Sequence, residues 1–259
     1  LAEAVLDAGD NLLATARDVA TLEGLGAERP GRMVTAPLDV TDEAQATAAI
    51  DAALGAFGSL DVLVNNAGYG DIGSVEDTPM ASFRRQIETN LFGTIIMTKA
   101  AISHMRERRR GHFVQFSSVG GRIGAPGRAA YSAAKWGVEG FSEVLAQEMR
   151  LVGVKVSIIE PGGFRTDFAG SSTTIESGRA EYDEVVGRAA RMQAAYHGGQ
   201  PGDPSLGAAA ILKLVGMENP PLRLPLGHDA VDAISLSDRN RLTEIERWRP
   251  LSISTDFPS

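Results

Sequence analysis

Tyr131 and Lys135 stand four residues apart in the stretch Tyr131-Ser132-Ala133-Ala134-Lys135, which suits a helix. One helical turn would bring both side chains to one face, setting a phenol beside an ammonium. A phenol titrates near pH 10, and each unit of lowering needs ~1.4 kcal/mol of preferential stabilisation of the phenolate. A neighbouring cation supplies part of that. Such a pair could hand a proton to a carbonyl oxygen while a hydride reaches its carbon, if both donors are held in contact with the substrate. Ser117 and Ser118 follow the apolar stretch His112 to Phe116, where a hydroxyl could share developing negative charge. Alternation along a strand points Ser117 to the opposite side and makes it the weaker candidate. Asn90, in Glu88-Thr89-Asn90-Leu91-Phe92-Gly93, is a poor helix former within a helical stretch, and its side chain can hold a water.

Each group alone has a plainer reading. Tyr131 and Lys135 could be an exposed helical pair, the two serines a strand-end turn, and Asn90 a buried group serving a local backbone partner. Their joint order along the chain favours chemistry over coincidence.

The elements that would hold these residues alternate between strands and amphipathic helices, the pattern of parallel βαβ units. Strands are predicted at 11–16, 32–37, 61–65, 112–117, 155–160 and 222–226. Runs such as Val62-Leu63-Val64 and Val156-Ser157-Ile158-Ile159 are apolar throughout, as strands buried on both faces are. Asp42 opens a helix that Gly58 stops, a long helix spans about 80–109, and another spans 130–151. A helical patch is expected at 184–195, then helices at 205–217 and 229–248. Leu1 to Ala8 reads as the tail of a helix ended by Gly9. Residues 164–204 loosen into Ser, Thr, Gly and Tyr and read as a substrate-covering segment, with Phe164, Phe168, Tyr182, Met192 and Tyr196 as candidate walls.

These pieces, together with Asn65-Asn66-Ala67-Gly68 after the third predicted strand and Pro161-Gly162-Gly163-Phe164-Arg165-Thr166 after the fifth, resemble the short-chain dehydrogenase/reductase family. The resemblance runs from Leu1 to about Gly227. It implies a single domain over 1–259 with a three-layer, Rossmann-like, doubly wound parallel sheet. It also implies a first strand and a glycine-rich pyrophosphate turn ahead of Leu1, so that the chain's own first strand would be the family's second. The implied catalytic set is Asn90, Ser118, Tyr131 and Lys135. Lys135 would also bind the nicotinamide ribose, and Asn90 would link Lys135 through water to solvent.

In this fold the end of that strand meets the adenosine ribose, where an acid suits NAD and a base suits the extra phosphate of NADP. Ala16 stands where the acid would be and Arg17 follows, so NADP(H) is expected over NAD, although Asp18 could neutralise Arg17. Asp39 and Val40 would meet the adenine. Asn66, Ala67 and Gly68 would let the backbone approach the cofactor closely. By resemblance, Pro161 and Gly162 close the nicotinamide end and Thr166 bonds the carboxamide.

The chain of 259 residues has no cysteine, which removes disulfides, thiolate metal sites and a thiol nucleophile. Its net charge of −8 argues against nucleic acid or anionic lipid as partners. His104, His112, His197 and His228 lack ligand spacing, so no metal is expected. The run Arg106 to Arg110 reads as a solvated helix end. With no leader or membrane-spanning run, a cytoplasmic protein is the default. The function expected is an NADP(H)-dependent oxidoreductase that interconverts a small carbonyl compound and an alcohol, as a homodimer or homotetramer. Two alternatives stay open: a non-catalytic cofactor-binding protein, and an epimerase or dehydratase on the same scaffold.

Overall fold

Asp42 accepts hydrogen bonds from the amides of Ala44 and Gln45, and Gly58 turns left-handed at φ 74°, so α2 (Glu43–Phe57) starts and stops where the sequence predicts. The computed structural model describes residues 1–166, 168, 173–175, 178–196 and 198–257. Before α2 come α1 (Ala2–Asp7), β1 (Leu12–Ala16) and β2 (Met33–Pro37), and after it β3 (Val62–Asn65). The remaining helices are α3 (Met80–Ile87), α4 (Gly93–Arg108), α5 (Ala129–Arg150), α6 (Arg188–Tyr196), α7 (Pro204–Val215) and α8 (His228–Ile253). The remaining strands are β4 (His112–Phe116), β5 (Lys155–Pro161) and β6 (Arg223–Leu226).

Among the described residues every strand pairing is parallel, but the ladder falls into two parts, β1-β2 and β3-β4-β5-β6. β1 is the first strand of the structure, and no strand lies ahead of α1 among the described residues. The facing edges of β1 and β3 share no backbone ladder. Side chains join the two parts instead: Leu13 and Leu38 pack in one cluster with Leu63, Met97 and Phe113.

Successive residues of β4 point to opposite faces, and the core divides accordingly. Phe113 packs with residues of α2, α4 and α5, while Val114 packs with Ile159, Ile211 and Leu214 on the side of α7. Helices therefore cover the larger sheet on both faces, giving three layers. Phe113 is fully buried. Phe113→Ala is expected to cost ~3–5 kcal/mol, read as a lower midpoint in urea unfolding.

The helix predicted over 80–109 is not regular. Between α3 and α4 lies a π turn, Glu88–Phe92, with Asn90 at its middle. Side chains occupy carbonyls there: Asn90 Nδ2 donates to the Gln86 carbonyl at 2.9 Å and Thr94 Oγ1 to the Asn90 carbonyl at 3.1 Å. α4 ends at Arg109 in the left-handed region, φ 50°. Arg108 and Arg110 bind Asp61 at 3.1 and 3.5 Å, which agrees with a solvated helix end. α8 is longer than predicted and carries Pro250 within it.

Candidate active site

Tyr131 and Lys135 lie in the first turns of α5, Lys135 against the end of β4 and both beside the loop after β3. Ser118, Tyr131, Lys135 and Gly68 line one cavity of about 510 Å³. Asn66, Pro161, Gly162 and Thr166 line the same cavity. Lys135 Nζ donates to the Phe116 carbonyl at 2.7 Å and sits 5.8 Å from the centroid of the Tyr131 ring. Ser118 accepts a hydrogen bond from the Gly120 amide at 3.0 Å, and Gly120 lies against the Tyr131 ring. The neighbouring Ser117 lines the same cavity and lies close to Glu139.

Asn90 is fully buried and donates to the carbonyls of Tyr69 and Gln86, both at 2.9 Å. Its Oδ1 has no hydrogen-bond partner among the described residues. A Cβ on Gly68 would overlap that oxygen and stand 3.5 Å from Lys135 Nζ. Only glycine fits at 68, which lies beside both the amide oxygen and the ammonium.

Burial dominates the electrostatics. It pushes the Tyr131 phenol above its ordinary value, while the Ser118 hydrogen bond and the Arg128 charge pull the other way. Burial also pulls the Lys135 ammonium down, to about 8. Arg128, half-buried at the head of α5, donates to the Gly70 carbonyl at 2.7 Å, and burial lowers its own pKa. The sequence reading passed over Arg128. Its signal was available, since a residue three places before Tyr131 shares its helical face.

Arg17, Asp39 and Val40 lie away from this cavity, at the ends of β1 and β2. Backbone and side-chain hydrogen bonds from Thr41 hold the Asp39 carboxyl below its usual range, with burial opposing and Arg17 adding a smaller push. The Arg17 charge also reaches Tyr69. The end of β1 thus lies within electrostatic reach of the loop after β3. Asp18 does not neutralise Arg17. Its carboxylate caps the following turn at the Ala20 amide, and among the described residues no carboxylate comes within ion-pair distance of Arg17. Val40 packs on Gly93, where a Cβ would overlap it, and Ala67 is exposed on the turn after β3.

Of the candidate walls, Phe164, Phe168 and Tyr196 line the cavity with Tyr131, and the Phe168 and Tyr131 rings are 5.6 Å apart. Met192 lines a second cavity of about 650 Å³ that shares Arg128, Gln193 and Tyr196 with the first. Tyr182 lines neither; its hydroxyl donates to Glu76 at 2.6 Å. Part of the predicted covering segment, 167, 169–172, 176–177 and 197, lies outside the described residues, and with it His197. Among the described residues no cluster of His, Asp or Glu could hold a metal ion, and no helix is long and apolar enough to cross a membrane. His112 is buried against Ser157 at 3.0 Å, and burial drops its pKa to about 4.

Residues 1–176 match the family described as short chain dehydrogenase. The chain is 42% identical to "Oxidoreductase BOA17" of Botryotinia fuckeliana, over 98% of this chain and 93% of that protein. Among solved structures, a short-chain dehydrogenase from Streptomyces avermitilis superimposes with a TM-score of 0.92 at 39% identity, covering 98% of this chain and 94% of that one. A metagenomic short-chain oxidoreductase in complex with NADP gives a TM-score of 0.67 at 26% identity, covering 87% and 89% of the two chains.

Proposed function

The chain belongs to the short-chain dehydrogenase family, and from that premise we propose that it is an NADP(H)-dependent oxidoreductase interconverting a ketone or aldehyde with an alcohol. The observation that carries this reading is the convergence of Ser118, Tyr131 and Lys135 on one cavity.

The residues present fit a dinucleotide. Gly68 leaves room that a side chain would fill, and among the described residues the buried Asn90 oxygen has no hydrogen-bond partner and Arg17, at a strand end, has no ion-pair partner. Arg17 would hold the ribose phosphate, Asp39 and Val40 the adenine, and Lys135 the nicotinamide ribose. Asn66, Ala67 and Gly68 would face the cofactor along the turn after β3, with Pro161, Gly162 and Thr166 at its nicotinamide end. When bound, the nicotinamide supplies or accepts the hydride.

The protein's part is proton chemistry and orientation. Ser118 bonds the carbonyl oxygen and steadies its negative charge. Tyr131 gives that oxygen its proton in reduction and takes it back in oxidation. The Lys135 ammonium beside the ring favours refilling of the phenol, and Asn90 holds the water through which Lys135 exchanges protons with solvent. Exposed Val144 on α5 and Leu151 at its C-terminal cap suit a contact between subunits of a homodimer or homotetramer.

NADPH and NADH consumption with a panel of simple ketones tests the reading. NADPH should be the better donor, and Arg17→Ala should raise its KM ~10–100-fold, the worth of a hydrogen bond to a charged group. The KM for NADH should hardly move. A wild-type preference for NADH would sink the cofactor assignment.

A further inference from the structure

Arg128 breaks local rules. It occupies the N-cap of α5, a position that favours Ser, Thr, Asp or Asn, and its side chain makes no cap bond. A cation there also faces the positive end of the helix dipole. Residues that defy local preference without a structural return gather at functional sites.

Its surroundings say what it could serve. Gly70 is pinched between Arg128 and the catalytic candidate: a Cβ there would stand 3.1 Å from Arg128 Nη1 and 2.9 Å from Tyr131 Cδ2. The guanidinium gives one bond to the Gly70 carbonyl, and among the described residues no carboxylate lies within ion-pair distance. Asp71 acts on it only at longer range, with its own oxygens facing the Thr174 amide and the Ser82 hydroxyl. Arg128 lines both cavities, and the second adds Arg188 at its exposed rim beside Ile72, Val185 and Met192. The only charged residues described in the two linings are Arg128, Lys135 and Arg188, although the whole chain carries −8. Cations gathered in an apolar cleft of an acidic protein suit an anionic ligand, and a guanidinium matches a carboxylate in two-pronged fashion.

We infer that the substrate is an acid: an oxo or hydroxy carboxylate with an apolar body, its carboxylate held by Arg128 with Arg188 at the outer end. This rests on the proposed hydride transfer at Tyr131 for its chemistry, but the carboxylate site can be read without turnover.

Two measurements test it. In thermal unfolding, octanoate should raise the melting temperature of the wild-type protein and octanamide should not, with the octanoate shift lost in Arg128→Gln. In turnover with NADPH, wild type should prefer levulinate to methyl levulinate, and Arg128→Gln should reduce that ratio of kcat/KM about 10- to 100-fold, as loss of a hydrogen bond to a charged group does. A merely structural role for Arg128 would lower both substrates alike and leave the ratio standing. If Arg128→Gln does not fold, Arg188→Gln carries both tests with a smaller loss. Equal stabilisation by octanoate and octanamide overturns the inference, as does an unchanged substrate ratio in a folded variant. Octanoate binding without turnover of any carbonyl would count against the proposed reaction and leave the acid site in place.

Discussion

Tyr131→Phe is expected to lower kcat by ~10²–10⁴-fold, the range attributed to a positioned general acid, while NADPH still binds within a few-fold of wild type in a fluorescence titration. The substitution removes one oxygen from a ring that is 8% exposed and packed 5.6 Å from Phe168. Phenylalanine keeps that packing, and Ser118 keeps its bond from the Gly120 amide. The loss therefore reports the hydroxyl, not the fold. Turnover at the wild-type rate would end the assignment of Tyr131 as proton donor.

Lys135→Met should lower kcat/KM for NADPH by about 10²-fold or more, since it deletes both the cation beside the phenol and the donor to the ribose. The pH dependence adds a sharper test. Burial holds the Lys135 pKa at about 8 against an ordinary 10.5. Because kcat/KM reports the free enzyme, the wild-type rate should fall as pH rises through about 8, where the ammonium is lost. Stability should run the opposite way. Between about 8 and 10.5 the unfolded chain holds the proton that the native chain has released, so Lys135 makes the native state more stable as pH increases across that window. Activity falling while this contribution to the melting temperature rises, with both trends absent in Lys135→Met, would identify the group. A basic limb that survives in the variant would assign it elsewhere.

Most of the scaffold was legible because it rests on local rules. The six strands were recognisable as short apolar runs, and their observed bounds differ from the predicted ones by at most a residue at either end. Asp42 and Gly58 marked the ends of α2 by capping chemistry alone. Three features escaped for physical reasons. The π turn at Glu88–Phe92 has no composition of its own, since it depends on which carbonyls the side chains of Asn90 and Thr94 capture. The run of α8 on to Ile253 passes through Pro250, a residue that reads locally as a helix breaker. The part of Arg128 beside Tyr131 turns on burial and on where a long side chain ends. Tyr182 failed as a wall residue for a similar reason: a carboxylate at Glu76 captured its hydroxyl. Asn90, by contrast, could be picked out because asparagine is misplaced in a regular helix.

The π turn bears on how that helical rod keeps phase. Residues four apart creep around an α-helix, because four positions exceed one turn of about 3.6. Gln86, Asn90 and Thr94 follow that spacing and are all buried. A wider winding at the middle of the series absorbs the creep, like a vernier correction, and keeps the three polar groups in a single line. The cleft thus owes its alignment to a pitch error, and straightening the rod would dephase Asn90 from Gly68 while leaving every residue of the set in place.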